Sequence, residues 1–195
     1  NGKTSTKDFT TAVLSQAFVV NATKGNLNNH IGLPLTVLAT EREHTAAIYE
    51  IGMNHSGELA PLCEIARPKY GIITNIGSAH IEFLGTREAI AEEKGTLARY
   101  LPEDGLLFTP AGCDFNEYFR ARTRARLIPV GNGRGLVRSE NLRSQEDGTC
   151  FDLVIDGEET HGVFLPVPGK HMVTNALLAA AVGWRLGIPA EKIAL

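Results

Sequence analysis

The chain has 195 residues, of which 43% are hydrophobic and 21% charged, and its 19 basic and 22 acidic residues give a net charge of −3. This is the composition of a globular protein long enough to bury a real core, which excludes disordered, collagen-like and disulfide-stapled classes. The near-neutral charge, with one small basic cluster between residues 120 and 126, predicts no nucleic acid partner and no membrane insertion.

Helical and strand-like segments alternate along the first 130 residues. Apolar residues at helical spacing predict a first helix that begins near residue 6. Short apolar runs rich in β-branched and aromatic residues predict buried parallel strands at 45–51, 70–76, 106–108 and 127–130. The intervening segments predict helices at 56–66, at 86–100 and near residue 117. Thr86 is the expected N-cap of the second of these, and Asp114 with Glu117 forms a capping box for the third.

The last third of the chain has a different pattern. Residues 131–148 are polar and carry no predicted element, and two strand-like runs at 149–155 and 160–167 predict a hairpin around Asp156-Gly157. A strongly apolar helix is expected at 172–186. The whole order predicts a doubly wound, mostly parallel α/β sheet with a small antiparallel extension.

The three cysteines, Cys63, Cys113 and Cys150, are far apart and have no CxxC spacing. This pattern favours a reducing compartment, so we expect a cytoplasmic protein. No apolar run approaches the roughly 18 residues that cross a bilayer, and the N-terminus has no hydrophobic signal core. Because the chain opens on Asn-Gly-Lys-Thr without an initiator Met, we expect it to be cut from a longer protein.

The opening residues Gly2-Lys3-Thr4 match the second half of a P-loop, G-x-x-x-x-G-K-[ST], at the start of a helix. Free backbone N–H groups and the helix dipole attract phosphate there, while Lys3 adds a positive charge and the Thr4 hydroxyl can bind Mg²⁺. A chance Gly-Lys-Thr at a helix start is equally compatible with this half motif. If the motif is real, the sheet is of the P-loop type.

Three polar residues fall at the carboxyl edge of the predicted parallel sheet: Glu50 ends the first of these strands, and Asn75 and His80 come at the end of the second and after it. The carboxyl edge of a parallel sheet is where ligands bind, and a carboxylate there can hold Mg²⁺. The plainer interpretation is that Glu50 is a solvated strand end and that His80 is a cap or turn residue.

Other polar residues have plain structural interpretations on periodicity alone. Lys94, among acidic neighbours in a helix, is expected to be an exposed basic residue. The amide-rich segment 25–32, which contains Asn28 and Asn29, is either a polar-ligand site or a turn. Asn175, one helical turn after His171, is expected to form hydrogen bonds at a helix start.

Taken together, the motifs resemble those of the Mur ligases of peptidoglycan synthesis. The resemblance runs in order through NGKTSTKD, GNLNNHIGLPLT, EIGMNHSGE, TNIGSAHIEFLGT, EKG and PGKHMVTNALLAAA, at residues 1–8, 25–36, 50–58, 74–86, 93–95 and 168–181. The GNLNNHIG and ExGxNHxGE segments are similar to those of members that join D-alanyl-D-alanine to UDP-N-acetylmuramoyl-tripeptide. The resemblance thus implies ATP and Mg²⁺ as cofactors, and these two molecules as substrates.

The resemblance also implies roles for individual residues. Around ATP it places the loop residues Asn1, Gly2, Lys3, Thr4 and Ser5 at the phosphates, and His171 and Asn175 near the adenine. Around the metals it places Thr4 and Glu50 on one Mg²⁺, His80 on a second, and Lys94 beside it as a carbamylated metal ligand. Asn28 and Asn29 are placed where the muramoyl-peptide approaches. Two departures, Met172 for the usual Asn and Thr96 for the usual Glu, weaken the assignments at His171 and Lys94.

Residues 1–195 correspond to the central ATP-binding domain of such a ligase, cut within the P-loop and without its UDP-sugar-binding and C-terminal domains. The implied reaction is amide formation through an acyl phosphate, in which Lys3, His80 and Lys94 serve catalysis. Two other interpretations stay open: another ligase of the superfamily, of the folylpolyglutamate or cyanophycin type, and a noncatalytic nucleotide-binding module.

Overall fold

The computed structural model describes residues 2–77, 85–131 and 135–194. The helices are α1 (Lys3–Leu14), α2 (Gly32–Leu38), α3 (Leu59–Ala66), α4 (Arg87–Tyr100), α5 (Asn116–Arg120), α6 (Lys170–Arg185) and α7 (Ala190–Ile193). The strands are β1 (Val20–Ala22), β2 (Ala46–Ile48), β3 (Tyr70–Ile72), β4 (Leu106–Pro110), β5 (Arg126–Val130), β6 (Val137–Ser144), β7 (Thr149–Ile155) and β8 (Glu158–Leu165).

Parallel strands form the centre of the fold, in two groups. β1 pairs with β2, and β3, β4 and β5 pair in that order, all of them in parallel. β6, β7 and β8 form a separate antiparallel sheet. The predicted α/β architecture, mostly parallel with a small antiparallel extension, is confirmed.

Helices cover both faces of the parallel strands, as β4 demonstrates. Successive side chains of a strand point to opposite faces, so Leu107 and Phe108, both fully buried, enter different cores. Phe108 packs in a core with Leu178 of α6, whereas Leu107 packs in a core with Ile90 of α4 and Phe119 of α5. Burial on both faces explains why the parallel strands are continuous apolar runs in the sequence.

The hydrogen bonds of the helix starts support one predicted cap and contradict another. The Thr86 hydroxyl accepts from the Ala89 N–H at 3.1 Å, so Thr86 caps α4 as predicted. The prediction of a capping box from Asp114 and Glu117 was wrong. α5 begins after Phe115 without a side-chain cap, and the Asp114 carboxylate instead accepts a hydrogen bond from Arg87 at 2.9 Å.

Four elements were not predicted from the sequence, namely β1, β6, α2 and α7, and β1 has only three residues. β6 lies inside the polar stretch 131–148, where its side chains are mostly half-buried or exposed and its partner β7 provides the apolar face. The seven-residue α2 and the four-residue α7 are too short to show a clear periodicity. β2 and β3 are also shorter than predicted, because the residues that follow them enter loops at the sheet edge.

No helix within the described part of the chain is both long enough and apolar enough to cross a membrane.

Candidate functional site

A cleft of about 510 Å³ lies between β2 and β3, beside α1. Backbone and side chains of the two strands line it, together with apolar residues of α1 and α6 such as Leu14 and Val182. Lys3, Glu50 and Lys94 also line this cleft. The structure therefore brings together three of the predicted site residues that lie far apart in the sequence.

The N-terminus of α1 has the form that a phosphate-binding loop requires. Gly2 precedes the helix with φ at 80°, a left-handed conformation that favours glycine. Lys3 begins the helix, Thr4 is exposed and Ser5 is half-buried. The first-turn N–H groups and the helix dipole favour an anion here. The prediction for Asn1 lies outside the described residues.

Asn175 on α6 packs directly against this loop. A Cβ built on Gly2 would lie 3.0 Å from both the Nδ2 and the Oδ1 of Asn175, so the side chains of larger residues at position 2 would collide with the amide. Asn175 is buried, and its Nδ2 makes a weak hydrogen bond to the Met172 sulfur at 3.8 Å. This places the predicted adenine residue next to the predicted phosphate loop. His171, one turn earlier, is exposed.

Glu50 is buried, with only 6% of its surface exposed, and is therefore not the solvated strand end of the plainer interpretation. Its backbone N–H donates to the Thr23 hydroxyl at 3.0 Å, and its Oε1 accepts from the Asn28 side-chain amide at 2.8 Å. Its Oε2 is buried with no hydrogen-bond partner among residues 2–77, 85–131 and 135–194.

A buried carboxylate oxygen without a partner is costly unless a further group binds it. A hard divalent cation prefers carboxylate and hydroxyl oxygens as ligands, so the Glu50 Oε2 fits Mg²⁺. Thr4 offers the hydroxyl that the sequence predicts as a second ligand. The prediction for His80 lies outside the described residues.

Lys94 is half-buried on α4 and is not the freely exposed lysine that helix periodicity suggests. Its Nζ donates to the backbone oxygen of Asn75 at 2.7 Å. Burial, and secondarily the positive charge of Lys3, lower the pKa of Lys94 to about 8. An amine with a pKa this low is partly neutral at physiological pH and can act as a nucleophile.

The two predicted substrate residues, Asn28 and Asn29, occupy different environments. Asn28 is half-buried and donates to Glu50, as described above. Asn29 is exposed, and its Oδ1 accepts from the N–H groups of Ile31 and Gly32, which orders the turn before α2.

One buried charge near the site has no role in the sequence-based predictions. Glu93 on α4 is 5% exposed and accepts from the N–H groups of Gly57 and Leu59 at 2.9 and 3.0 Å. It thus satisfies donors at the N-terminus of α3 and ties the loop that follows Glu50 to the helix that carries Lys94. Its place beside Lys94 in the EKG motif was the only sequence signal, and that signal does not reveal a partner 34 residues away.

Comparison with known proteins places this geometry in a family context. The family model described as the Mur ligase middle domain matches residues 1–183. A UDP-N-acetylmuramoyl-tripeptide–D-alanyl-D-alanine ligase of Bacillus subtilis is 40% identical over 195 residues, which are all of this chain and 41% of that protein. The chain thus spans about two fifths of the length of this curated relative.

Solved structures agree in fold over the whole chain. The crystal structure of MurF from Acinetobacter baumannii matches with a TM-score of 0.93 and 31% identity, covering 100% of this chain and 43% of that one. The MurF ligase of Thermotoga maritima, solved in complex with ADP, matches with a TM-score of 0.87 and 26% identity, covering 100% of this chain and 46% of that one.

Proposed function

Because the chain belongs to the Mur ligase middle-domain family, we propose that it is the ATP-binding domain of a ligase that joins D-alanyl-D-alanine to UDP-N-acetylmuramoyl-tripeptide. The observation that carries the proposal is the convergence of Lys3, the half-satisfied Glu50 carboxylate and Lys94 on one cleft. The identity of 40% to a relative with this activity supports the choice of substrates.

The proposed reaction has two steps. A substrate carboxylate oxygen attacks the γ-phosphorus of ATP, the bond to the β-phosphate oxygen breaks, and ADP leaves. The amino group of D-alanyl-D-alanine then attacks the acyl phosphate carbon, and the amide forms as phosphate departs and the amine loses a proton. ATP cleavage drives amide formation because the carboxylate becomes a mixed anhydride.

The protein positions the groups for phosphoryl transfer and balances their charge. Lys3, at the start of α1, supplies a fixed positive charge for the γ-phosphate oxygens, assisted by the first-turn N–H groups. When bound, Mg²⁺ would neutralise negative charge on the phosphates. Thr4 and Glu50 would hold one ion, and His80 with a carbamylated Lys94 would hold a second. Asn175 and His171 are the proposed adenine contacts, and Asn29 is an exposed candidate for contact with the muramoyl-peptide.

We propose that a strand preceding Asn1 completes the parallel sheet. Within the described residues β2 pairs only with β1 and β3 only with β4, so the edges of β2 and β3 that line the cleft have no strand partner. A strand leading directly into α1 would fit between these edges and bring the first glycine of the P-loop with it. Flanking domains of the same protein would hold the UDP-sugar and close over the acyl phosphate to exclude water.

We also propose a cytoplasmic location. The reaction consumes ATP, and all three cysteines are free thiols, which is typical of a reducing compartment.

The test is phosphate release by the intact protein in the presence of ATP and Mg²⁺. We expect release to require both UDP-N-acetylmuramoyl-tripeptide and D-alanyl-D-alanine, and to yield ADP and a new amide in equal amounts. Release that instead requires a folate and glutamate would assign the chain to a sibling ligase. ATP binding without any release would favour the noncatalytic module.

A further inference from the structure

The side-chain amide of Asn28 and the carboxylate of Glu50 form a direct contact 22 residues apart in the sequence. Asn28 Nδ2 donates to Oε1 of Glu50 at 2.8 Å, and the backbone oxygen of Asn28 accepts from the Gly52 N–H at 2.7 Å. Two hydrogen bonds therefore join the loop after β1 to the loop after β2. One is made by the Glu50 side chain and the other by the backbone N–H of Gly52, two residues later.

Gly52 is the residue that makes room for this amide. A Cβ built on Gly52 would lie 2.8 Å from Oδ1, 3.0 Å from Cγ and 3.2 Å from Nδ2 of Asn28, and these are its three nearest atoms. The backbone at Gly52 is not in the left-handed region, so an alanine there would displace the Asn28 amide without straining its own backbone. Position 52 thus controls the space that the Asn28 amide occupies.

The contact divides the two oxygens of Glu50 between two tasks. Oε1 is held by a neutral donor, while Oε2 is buried without a partner in the described parts of the chain. An amide fixes the rotation of the carboxylate and leaves its full negative charge, whereas a lysine or arginine in the same place would compete with a metal ion. We propose that Asn28 is a positioning residue that orients the Glu50 carboxylate so that Oε2 is available to the divalent cation.

This inference rests on the proposed function, because it assumes that Glu50 binds Mg²⁺. It also changes the role expected of Asn28, which the family resemblance places at the approaching substrate. Partners that orient a metal ligand commonly contribute about 10- to 100-fold to metal affinity. The effect of losing Asn28 is therefore expected in cation binding and not in the affinity for the muramoyl-peptide.

The experiment measures Mn²⁺ binding to the intact protein with saturating ADP, by the loss of the free Mn²⁺ electron paramagnetic resonance signal, with ADP alone as blank. We expect Asn28→Ala and Gly52→Ala each to weaken Mn²⁺ binding about tenfold. The double variant should lie within about twofold of Asn28→Ala, because the alanine at position 52 no longer meets an amide. The matched control is Asn26→Ala, an exposed asparagine of the same loop, which should bind Mn²⁺ as the wild type does.

The outcomes separate this inference from the proposed function. Glu50→Gln that weakens Mn²⁺ binding, together with an unchanged Asn28→Ala, would overturn the inference and leave the metal site standing. An unchanged Glu50→Gln would overturn the metal site itself. A purely structural role for Asn28 predicts a lower melting temperature with unchanged Mn²⁺ affinity. If Asn28→Ala does not fold, Gly52→Ala decides alone, and wild-type Mn²⁺ affinity in that variant would overturn the inference.

Discussion

Lys94 provides the sharpest test of the electrostatics in the cleft. Its Nζ is fixed by the Asn75 backbone oxygen at 2.7 Å, and burial together with the charge of Lys3 lowers its pKa to about 8. At pH 7.4 such an amine is neutral in roughly one molecule in five, whereas the ordinary pKa of about 10.5 leaves roughly one in a thousand neutral. Reactivity toward CO₂ should therefore exceed that of an ordinary lysine by about two hundredfold at equal nucleophilicity.

The neutral amine attacks the carbon of CO₂, an N–C bond forms, and the nitrogen releases a proton to give a carbamate with one negative charge. This reaction replaces the repulsion between Lys94 and Lys3 with an attraction. We expect the protein in ¹³C-labelled bicarbonate to show a carbamate resonance in its ¹³C spectrum that Lys94→Arg lacks. Lys69 is an internal comparison, because the adjacent Asp104 raises its pKa and keeps it protonated. A wild-type spectrum without a carbamate signal would refute the reasoning.

Activity gives a second readout of the same prediction. With a carbamate as metal ligand, Lys94→Ala should lose most activity, and acetate should partly restore it by replacing the missing carboxylate. An ammonium that contacts phosphate or substrate directly predicts an inactive variant that acetate does not rescue. A surface lysine predicts full activity, which would remove Lys94 from the site.

The lowered pKa also predicts how stability depends on pH in CO₂-free buffer. Between about pH 8 and 10.5 the unfolded chain holds a proton on Lys94 that the folded chain has released. The contribution of Lys94 to the free energy of unfolding therefore rises with pH across that window and is lowest below pH 8. Relative to Lys94→Met, the wild type should become progressively more stable as the pH rises from 8 to 10.5, as measured by urea unfolding. A difference between the two proteins that is independent of pH would contradict the assigned pKa.

Three further predictions address the rest of the site. Lys3→Ala should reduce the ligation rate by about 100-fold or more, because the lysine charge stabilises the negative charge of the phosphates. The melting temperature should not change, because Lys3 lies outside the core. A rate within tenfold of wild type would contradict this role. Glu50→Gln should raise the Mg²⁺ concentration needed for half-maximal rate, and a Mg²⁺ titration that superimposes on wild type would contradict metal binding. Glu93→Ala should lower the free energy of unfolding by about 2–4 kcal/mol in urea titrations, with Glu93→Gln losing less, because the alanine leaves donors of α3 unsatisfied. Equal stability of the two Glu93 variants would contradict the capping role.

Features that depend on neighbouring residues in the sequence were predicted, whereas features that depend on distant residues were not. β4 and β5 were predicted because burial on both faces leaves an apolar run that is visible within five residues. β6 was missed because its outer side chains are polar and its pairing with β7 depends on residues beyond the turn. The position of Glu50 at a sheet edge was predictable from strand order, but its burial was not.

The burial and the lowered pKa of Lys94 could not be predicted from the local sequence for the same reason. Its acidic neighbours on α4 predict an exposed lysine, and the motif that contains it departs from the family at Thr96. Its pKa is lowered first by burial and then by the charge of Lys3, and its Nζ donates to the Asn75 backbone oxygen. Tertiary structure alone brings these groups together. Periodicity alone does not place Lys94 at the cleft that Lys3 and Glu50 also line, whereas the family resemblance groups these three residues.

The charges of the cleft are mutually dependent, and this dependence explains why neither lysine can be understood alone. In the proposed mechanism Lys3 offers a positive charge to phosphate, and the same charge contributes to lowering the pKa of Lys94. Before nucleotide and metal bind, the repulsion between the charges of Lys3 and Lys94 adds to the effect of burial and favours the neutral amine that reacts with CO₂. Among Lys3, Glu50 and Lys94, carbamylation changes two positive charges and one negative charge into one positive charge and two negative charges, a balance that suits divalent metal ions. A P-loop lysine would thus help to create the second metal ligand of its own active site.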